Sequence, residues 1–158
     1  MGLIRTLPPE VYTRIAAGEV IEGPFSVVRE LIDNSLDAES VRISINIRDG
    51  GASSVAVTDD GQGMSGDDAA LAVRKHTTSK IRGIQDIGCV ASLGFRGEAL
   101  SSICAVSDFT LVTARPGSTH GTRVACTGGA GTRVEPCAAN PGTSVTVSNL
   151  FFNLPARR

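Results

Sequence analysis

Residues 41–48 alternate without a break: Val41, Ile43, Ile45 and Ile47 interleave with Arg42, Ser44, Asn46 and Arg48. A period of two places its apolar residues on one face only in an extended strand. Asp49-Gly50-Gly51 then turns the chain, and a second short apolar run follows at about 54–58. The pair predicts an antiparallel hairpin. A lone hairpin is marginal in water, so other elements must cover its apolar face.

Those elements are legible on both sides. Pro24 suits the first turn of a helix over residues 24–38. Val28, Leu31, Ile32 and Ser35 fall on one side of it at helical spacing. Glu30, Asn34 and Asp37 form a polar stripe, expected on the opposite side. Ser65 with Asp67 and Asp68 is a helix start, and Ala69 to Lys75 continues it. Residues 76–98 show no periodicity; a connection that long is usually functional, often a lid. Helical patterning returns from Glu98 to Val106. Strands are then expected at about 108–114, 121–127, 132–135 and 143–148. This order predicts an α+β chain, with helices layered on one antiparallel or mixed sheet.

Composition bounds the function. Fifteen Lys+Arg against sixteen Asp+Glu leave a net charge of −1 over 158 residues, so any contact with nucleic acid must rest on a local patch or on other domains. A hydrophobic share of 41% fits a globular core and argues against disorder. No apolar run approaches a membrane span, and the first 20 residues lack a signal-peptide core. Cys89, Cys104, Cys126 and Cys137 lack zinc-site spacing and read as free thiols in a reducing, cytoplasmic setting.

Three stretches could carry chemistry. The first is the Glu30–Asn34–Asp37 stripe: a carboxylate can act as a base toward water, and an amide oxygen can ligate a divalent ion. The second is Asp59-Asp60-Gly61-Gln62-Gly63-Met64 at a strand end. Glycines there let a flat ligand approach the backbone, while a carboxylate accepts a hydrogen bond from its amino group. The third is Gly94-Phe95-Arg96-Gly97 just before a helix, where backbone N–H groups can turn onto an anion. A GxGxxG match at residues 61–66 mimics a dinucleotide fingerprint, but Asp59 and Asp60 would repel a pyrophosphate there. No GxxxxGK[ST] loop is present.

Together these stretches resemble the N-terminal ATPase region of MutL-type DNA mismatch repair proteins, of the superfamily shared by gyrase, a heat-shock chaperone and histidine kinases (GHKL). The motifs that carry the resemblance run in order along nearly the whole chain: Leu7-Pro8-Pro9, Ile15 to Ile21, Val27 to Leu31, Asn34 to Ala38, Asp59 to Met64, His76 to Ile81, Leu93 to Leu100, and Phe151 to Arg158. The resemblance implies the Bergerat fold, a two-layer α/β sandwich with helices on one face of a mixed, mostly antiparallel sheet, built from residues 1–158 as one domain. It implies Glu30 as the general base and Asn34 as the ligand of Mg²⁺. It implies Asp59 as the adenine-reading carboxylate, with Gly61, Gly63, Met64 and Thr143 around the base. Thr78, Ser79, Lys80, Gly94, Phe95, Arg96, Gly97, Glu98, Ala99 and Leu100 match the lid and phosphate-binding motifs.

ATP and Mg²⁺ are the implied cofactors. MutS-type proteins, DNA and an ATP-driven homodimer are the implied partners, in the cytoplasm and without a membrane. Family members continue into a second domain and a C-terminal dimerisation domain, so the chain resembles a fragment whose turnover would be weak. Asp60 stands where the family often has Asn, and residues 115–142 match poorly.

Overall fold

The computed structural model describes residues 4–74 and 99–154. The element order is α1 (Pro9–Val20), α2 (Pro24–Asp37), β1 (Ile43–Arg48), a 3-10 turn (Asp49–Gly51), β2 (Ser54–Asp59), α3 (Gly66–Ala72), α4 (Ala99–Ala105), β3 (Asp108–Ala114), β4 (Gly121–Thr127), β5 (Ala130–Cys137) and β6 (Gly142–Ser148). The strands form one sheet in the order β1-β2-β6-β3-β4-β5.

Every pairing in this sheet is antiparallel, which corrects the expected mixed sheet. The reason lies in β6. It runs antiparallel to both β2 and β3, so those two strands are parallel to each other. The last strand fills the slot that would otherwise hold a parallel pair. No strand–helix–strand unit with adjacent parallel strands exists among the described residues, which removes the dinucleotide reading of residues 61–66.

Register sorts the residues facing the helices into rows across the sheet. Val55, Val147, Phe109 and Cys126 align in one row, and Val57, Val145, Leu111 and Val124 in the next. All eight are buried. The third row is Asp59, Thr143, Thr113 and Thr122. The sheet's inner face is thus apolar for two rows and polar for the third. Leu31 and Val27 from α2, and Ile103 and Val106 at α4, close the apolar rows. Cys104 and Cys126 share a thiol–thiol hydrogen bond in this core; burial pushes the Cys104 thiol up, and its bond holds Cys126 down. Cys104, Cys126 and Cys137 are free thiols, as expected; Cys89 lies outside the described residues.

Three local differences have physical causes. The strand expected from residue 41 begins at Ile43, because the N–H groups of Val41 and Arg42 are spent on Asp60 Oδ1, at 2.9 Å each. Ile45 and Ile47 face the helix side but remain 45% and 48% exposed, since α2 packs over β2 and leaves the edge strand β1 largely uncovered. Helix α1 has no counterpart in the expectations. Tyr12, Ile15 and Val20 are exposed while Ala17 and Gly18 are buried, so its apolar pattern is not a clean inward stripe. Pro9 at the start and Glu10 in the first turn are the signals that mark it.

Candidate functional site

Asp59 ends β2 in the polar row and is only 9% exposed. A buried carboxylate needs donors, and three converge on it. Ser35 Oγ on α2 donates to Oδ2 at 2.7 Å. The N–H groups of Gly61 and Thr143 donate to Oδ1 at 2.9 and 3.2 Å. A carboxylate offers about four lone-pair positions, so one remains for a ligand. The bonds join α2, the loop after β2 and the start of β6 around one group.

The loop after β2 is shaped by close backbone approach. Gly63 has φ +65°, and a Cβ there would lie 1.9 Å from the Ala114 carbonyl oxygen. Gly142 opens β6 at φ +118°, and a Cβ there would lie 2.0 Å from the Asp59 carbonyl oxygen. Both positions require glycine on conformation and on space. Met64 packs against the core, and its N–H donates to Thr113 Oγ1 at 2.9 Å. Thr113 is fully buried and also contacts the Gly142 carbonyl at 3.1 Å and Thr143 Oγ1 at 2.8 Å.

Along α2, Ser35 sits over the Asp59 end of the polar row. Asn34 precedes it, and Glu30 lies about 6 Å further back along the axis. Glu30 and Asn34 are half-buried. The polar stripe therefore flanks the buried Val27–Leu31–Ser35 stripe, and does not lie opposite it as the spacing suggested. At about 100° per residue, Asn34 and Glu30 fall just beside Leu31, at the rim of the covered face. Arg29 approaches Glu30 at 4.0 Å, the outer limit of an ion pair. Ala99 and Leu100 begin α4, partly buried. Thr78, Ser79, Lys80, Gly94, Phe95, Arg96, Gly97 and Glu98 lie outside the described residues.

Asp60 has a different task from its neighbour. It is exposed, and its backbone hydrogen bonds from Arg42 and Val41 hold its carboxyl below the ordinary 3.8. A lowered folded value means the contribution is complete above the unfolded value and is lost as pH falls through the folded one. Acid unfolding of Asp60→Asn is therefore expected to show a smaller loss of stability below about pH 4 than the parent, read by circular dichroism across a pH series.

Ser35 and Thr113 hold the candidate site together through hydrogen bonds, and the sequence reading did not single them out for it. Both carried a signal: a hydroxyl at an inward position of an apolar helix stripe or strand must find a partner. Among the described residues, no group of three or more His, Cys, Asp or Glu is placed to hold a metal ion, and no helix is long and apolar enough to cross a membrane.

Comparison with known proteins places the chain in a family and a fold. Residues 21–128 match the family model described as histidine kinase-, DNA gyrase B-, and HSP90-like ATPase. The chain is 49% identical over 158 residues to the DNA mismatch repair protein MutL of Acidobacterium capsulatum, and 50% identical to that of Syntrophobacter fumaroxidans. Each alignment covers all of this chain and 24% of the relative, so the chain spans about a quarter of their length. Among solved structures, an N-terminal domain of a DNA repair protein superposes with a TM-score of 0.75 at 34% identity, covering 92% of this chain and 41% of that one. The Aquifex aeolicus MutL ATPase domain complexed with ADP superposes at 0.69 and 31% identity, covering 88% and 47%. The chain thus has the Bergerat-type fold and belongs to the histidine kinase-, DNA gyrase B- and HSP90-like ATPase family.

Proposed function

We propose that residues 1–158 are the ATP-binding and ATP-hydrolysing domain of a MutL-like mismatch repair protein. The observation that carries the binding site is the Asp59 carboxylate, held by three donors at the end of the polar row, with one acceptor position left for an amino group. An adenine N6 amino group matches that position. Gly61 and Gly63 let the flat base lie close to the backbone, and Met64 and Thr143 complete its surroundings. The α2 stripe then runs from the base toward the phosphates: Asn34 first, Glu30 beyond it.

Glu30 is the general base in this reading. It orients a water toward the γ-phosphate and takes its proton, so catalysis is positional and electrostatic, as phosphoryl transfer generally is. A carboxamide, with no cluster of three or more His, Cys, Asp or Glu among the described residues, fits Mg²⁺, which keeps several waters and binds largely through substrate phosphates. When bound, that ion would neutralise charge on the phosphates; Asn34 would hold it. The lid motifs Thr78-Ser79-Lys80 and Gly94 to Leu100 would close over the phosphates. In the longer protein, ATP binding would drive homodimerisation of this region and couple MutS-type recognition to processing of DNA in the cytoplasm.

Titration calorimetry with a non-hydrolysable ATP analogue, with and without Mg²⁺, tests the site. Binding that tightens on adding Mg²⁺ is expected. Absence of binding under both conditions would overturn the reading.

A further inference from the structure

Two thiols meet where α4 rests on β4, and the nucleotide reading uses neither. Cys104 lies near the end of α4 and Cys126 near the end of β4. They are 3% and 6% exposed. Three contacts fix the two elements around them. The Gly128 N–H donates to the Ser107 carbonyl at 2.9 Å. The Ser107 hydroxyl donates to the Ile103 carbonyl at 2.6 Å. A Cβ on Gly129 would lie 3.3 Å from the Ala105 Cα, so the turn after β4 is pressed against the end of α4. The β4–β5 ladder is irregular at this point, passing from Ala125–Arg133 to Thr127–Ala130 with Cys126 between. Such irregularities re-aim side chains and leave backbone groups outside the ladder.

The two sulfurs are not equivalent. The Cys126 sulfur accepts hydrogen bonds from the Cys104 thiol and from the Gly129 N–H. Both donors favour its thiolate, against the opposing charge of Asp108. Cys104 is the more deeply buried of the two and keeps its hydrogen. A cysteine that only fills space needs no donors on its sulfur, and in apolar surroundings it is inert. A sulfur with two donors and a second thiol against it holds both halves of a disulfide-forming pair, an attacking thiolate and a resolving thiol.

We propose that Cys104 and Cys126 are an oxidant-sensitive pair, which hydrogen peroxide converts to an intramolecular disulfide tying α4 to β4. The Cys126 thiolate attacks one peroxide oxygen. The O–O bond breaks, the hydroxide released takes up a proton as water, and Cys126 becomes a sulfenic acid. The Cys104 sulfur then attacks the sulfenic sulfur. The S–S bond forms and the S–O bond breaks, and the departing hydroxide leaves as water with the Cys104 proton. Two thiols and one peroxide thus give one disulfide and two waters, with two electrons passing from sulfur to oxygen. A dithiol reductant reverses the link by exchange. An S–S bond of about 2.0 Å is shorter than a thiol–thiol hydrogen bond, so oxidation draws the end of α4 toward β4.

The test is treatment of the reduced, folded chain with hydrogen peroxide, read by intact mass and by peptide mapping after alkylation. A loss of two hydrogens and a peptide linking Cys104 to Cys126 are expected, both reversed by dithiothreitol. In Cys104→Ala the Cys126 sulfenic acid lacks its resolving thiol and should be captured by dimedone. In Cys126→Ala, Cys104 should be oxidised at least about tenfold more slowly than Cys126 is in the parent. Circular dichroism checks that each variant folds, and the peptide map of the parent decides the matter without them. A disulfide from either cysteine to Cys89 or Cys137 in place of the pair overturns the proposal. So does a pair that stays reduced while Cys137 is oxidised, or a link that forms only once urea has unfolded the chain. Oxidation of Cys104 in Cys126→Ala as fast as that of Cys126 in the parent overturns the order of attack.

Discussion

Glu30→Gln is expected to lower single-turnover ATP hydrolysis by about 10²–10⁴-fold, with ADP affinity within about threefold of the parent. Glu30 lies half-buried at the rim of α2, one turn from Asn34 and away from the groups that hold Asp59. Gln keeps the size and the hydrogen-bonding reach of Glu but cannot take a proton from water. The loss therefore falls on the chemical step and spares ground-state binding. Radiolabelled phosphate release with protein in excess, beside calorimetric ADP binding, reads the two quantities separately. Equal loss of both would mean that Glu30 shapes the pocket and does not act on water.

The second large effect is expected at Asp59, and Asn is the informative replacement. Asp59→Ala would strand the Ser35 hydroxyl and the N–H groups of Gly61 and Thr143. Each orphaned donor costs about 1–3 kcal/mol, a heavy loss for a domain whose whole stability is about 5–15 kcal/mol. Asp59→Asn avoids this. Its oxygen keeps the two N–H bonds, and its amide reaches Ser35, which turns from donor to acceptor. What disappears is the charge-assisted bond to the ligand, worth about 1.5–3 kcal/mol, or roughly 10–150-fold in affinity. ADP titration should show that weakening with the thermal midpoint nearly unmoved. Unchanged affinity would remove Asp59 from the base site.

Much of this arrangement is written in local pattern. The alternation at 41–48 and the turn at Asp49 predict the β1–β2 hairpin, and β3, β4 and β6 begin and end within a residue of their expected limits. Helix α2 follows from Pro24 and the spacing of Val28, Leu31 and Ser35. Long-range pairing is a different matter. Nothing in residues 142–148 says that they insert between β2 and β3, because every inner strand presents inward-facing apolar residues at the same period of two. The side of α2 that carries Glu30 was likewise misplaced, since the covered face is set by where the helix rests on the sheet. β5 was expected as a short piece at 132–135 and runs from Ala130 to Cys137. Pro136 lies within it, and on an edge strand a residue without an N–H is tolerated. Asp59 was legible from its strand-end context; the three donors that define its free position come from segments 24 and 84 residues away as well as from Gly61.

The central place of the last strand has a kinetic consequence. During synthesis the β1–β2 hairpin and the β3–β4–β5 meander can each form from near neighbours in sequence, but each then presents a bare inner edge until residues 142–148 have emerged. Unpaired edges are the surfaces through which partly folded chains associate. Closing the sheet joins β6 to β2 across more than eighty residues of intervening chain, a non-local step that slows folding. That same step delivers the Thr143 N–H to Asp59, so the proposed base site is complete only in chains whose sheet has closed. Nucleotide in the cell would then draw nascent molecules toward completion by mass action, stabilising the finished fold and none of its open-edged precursors.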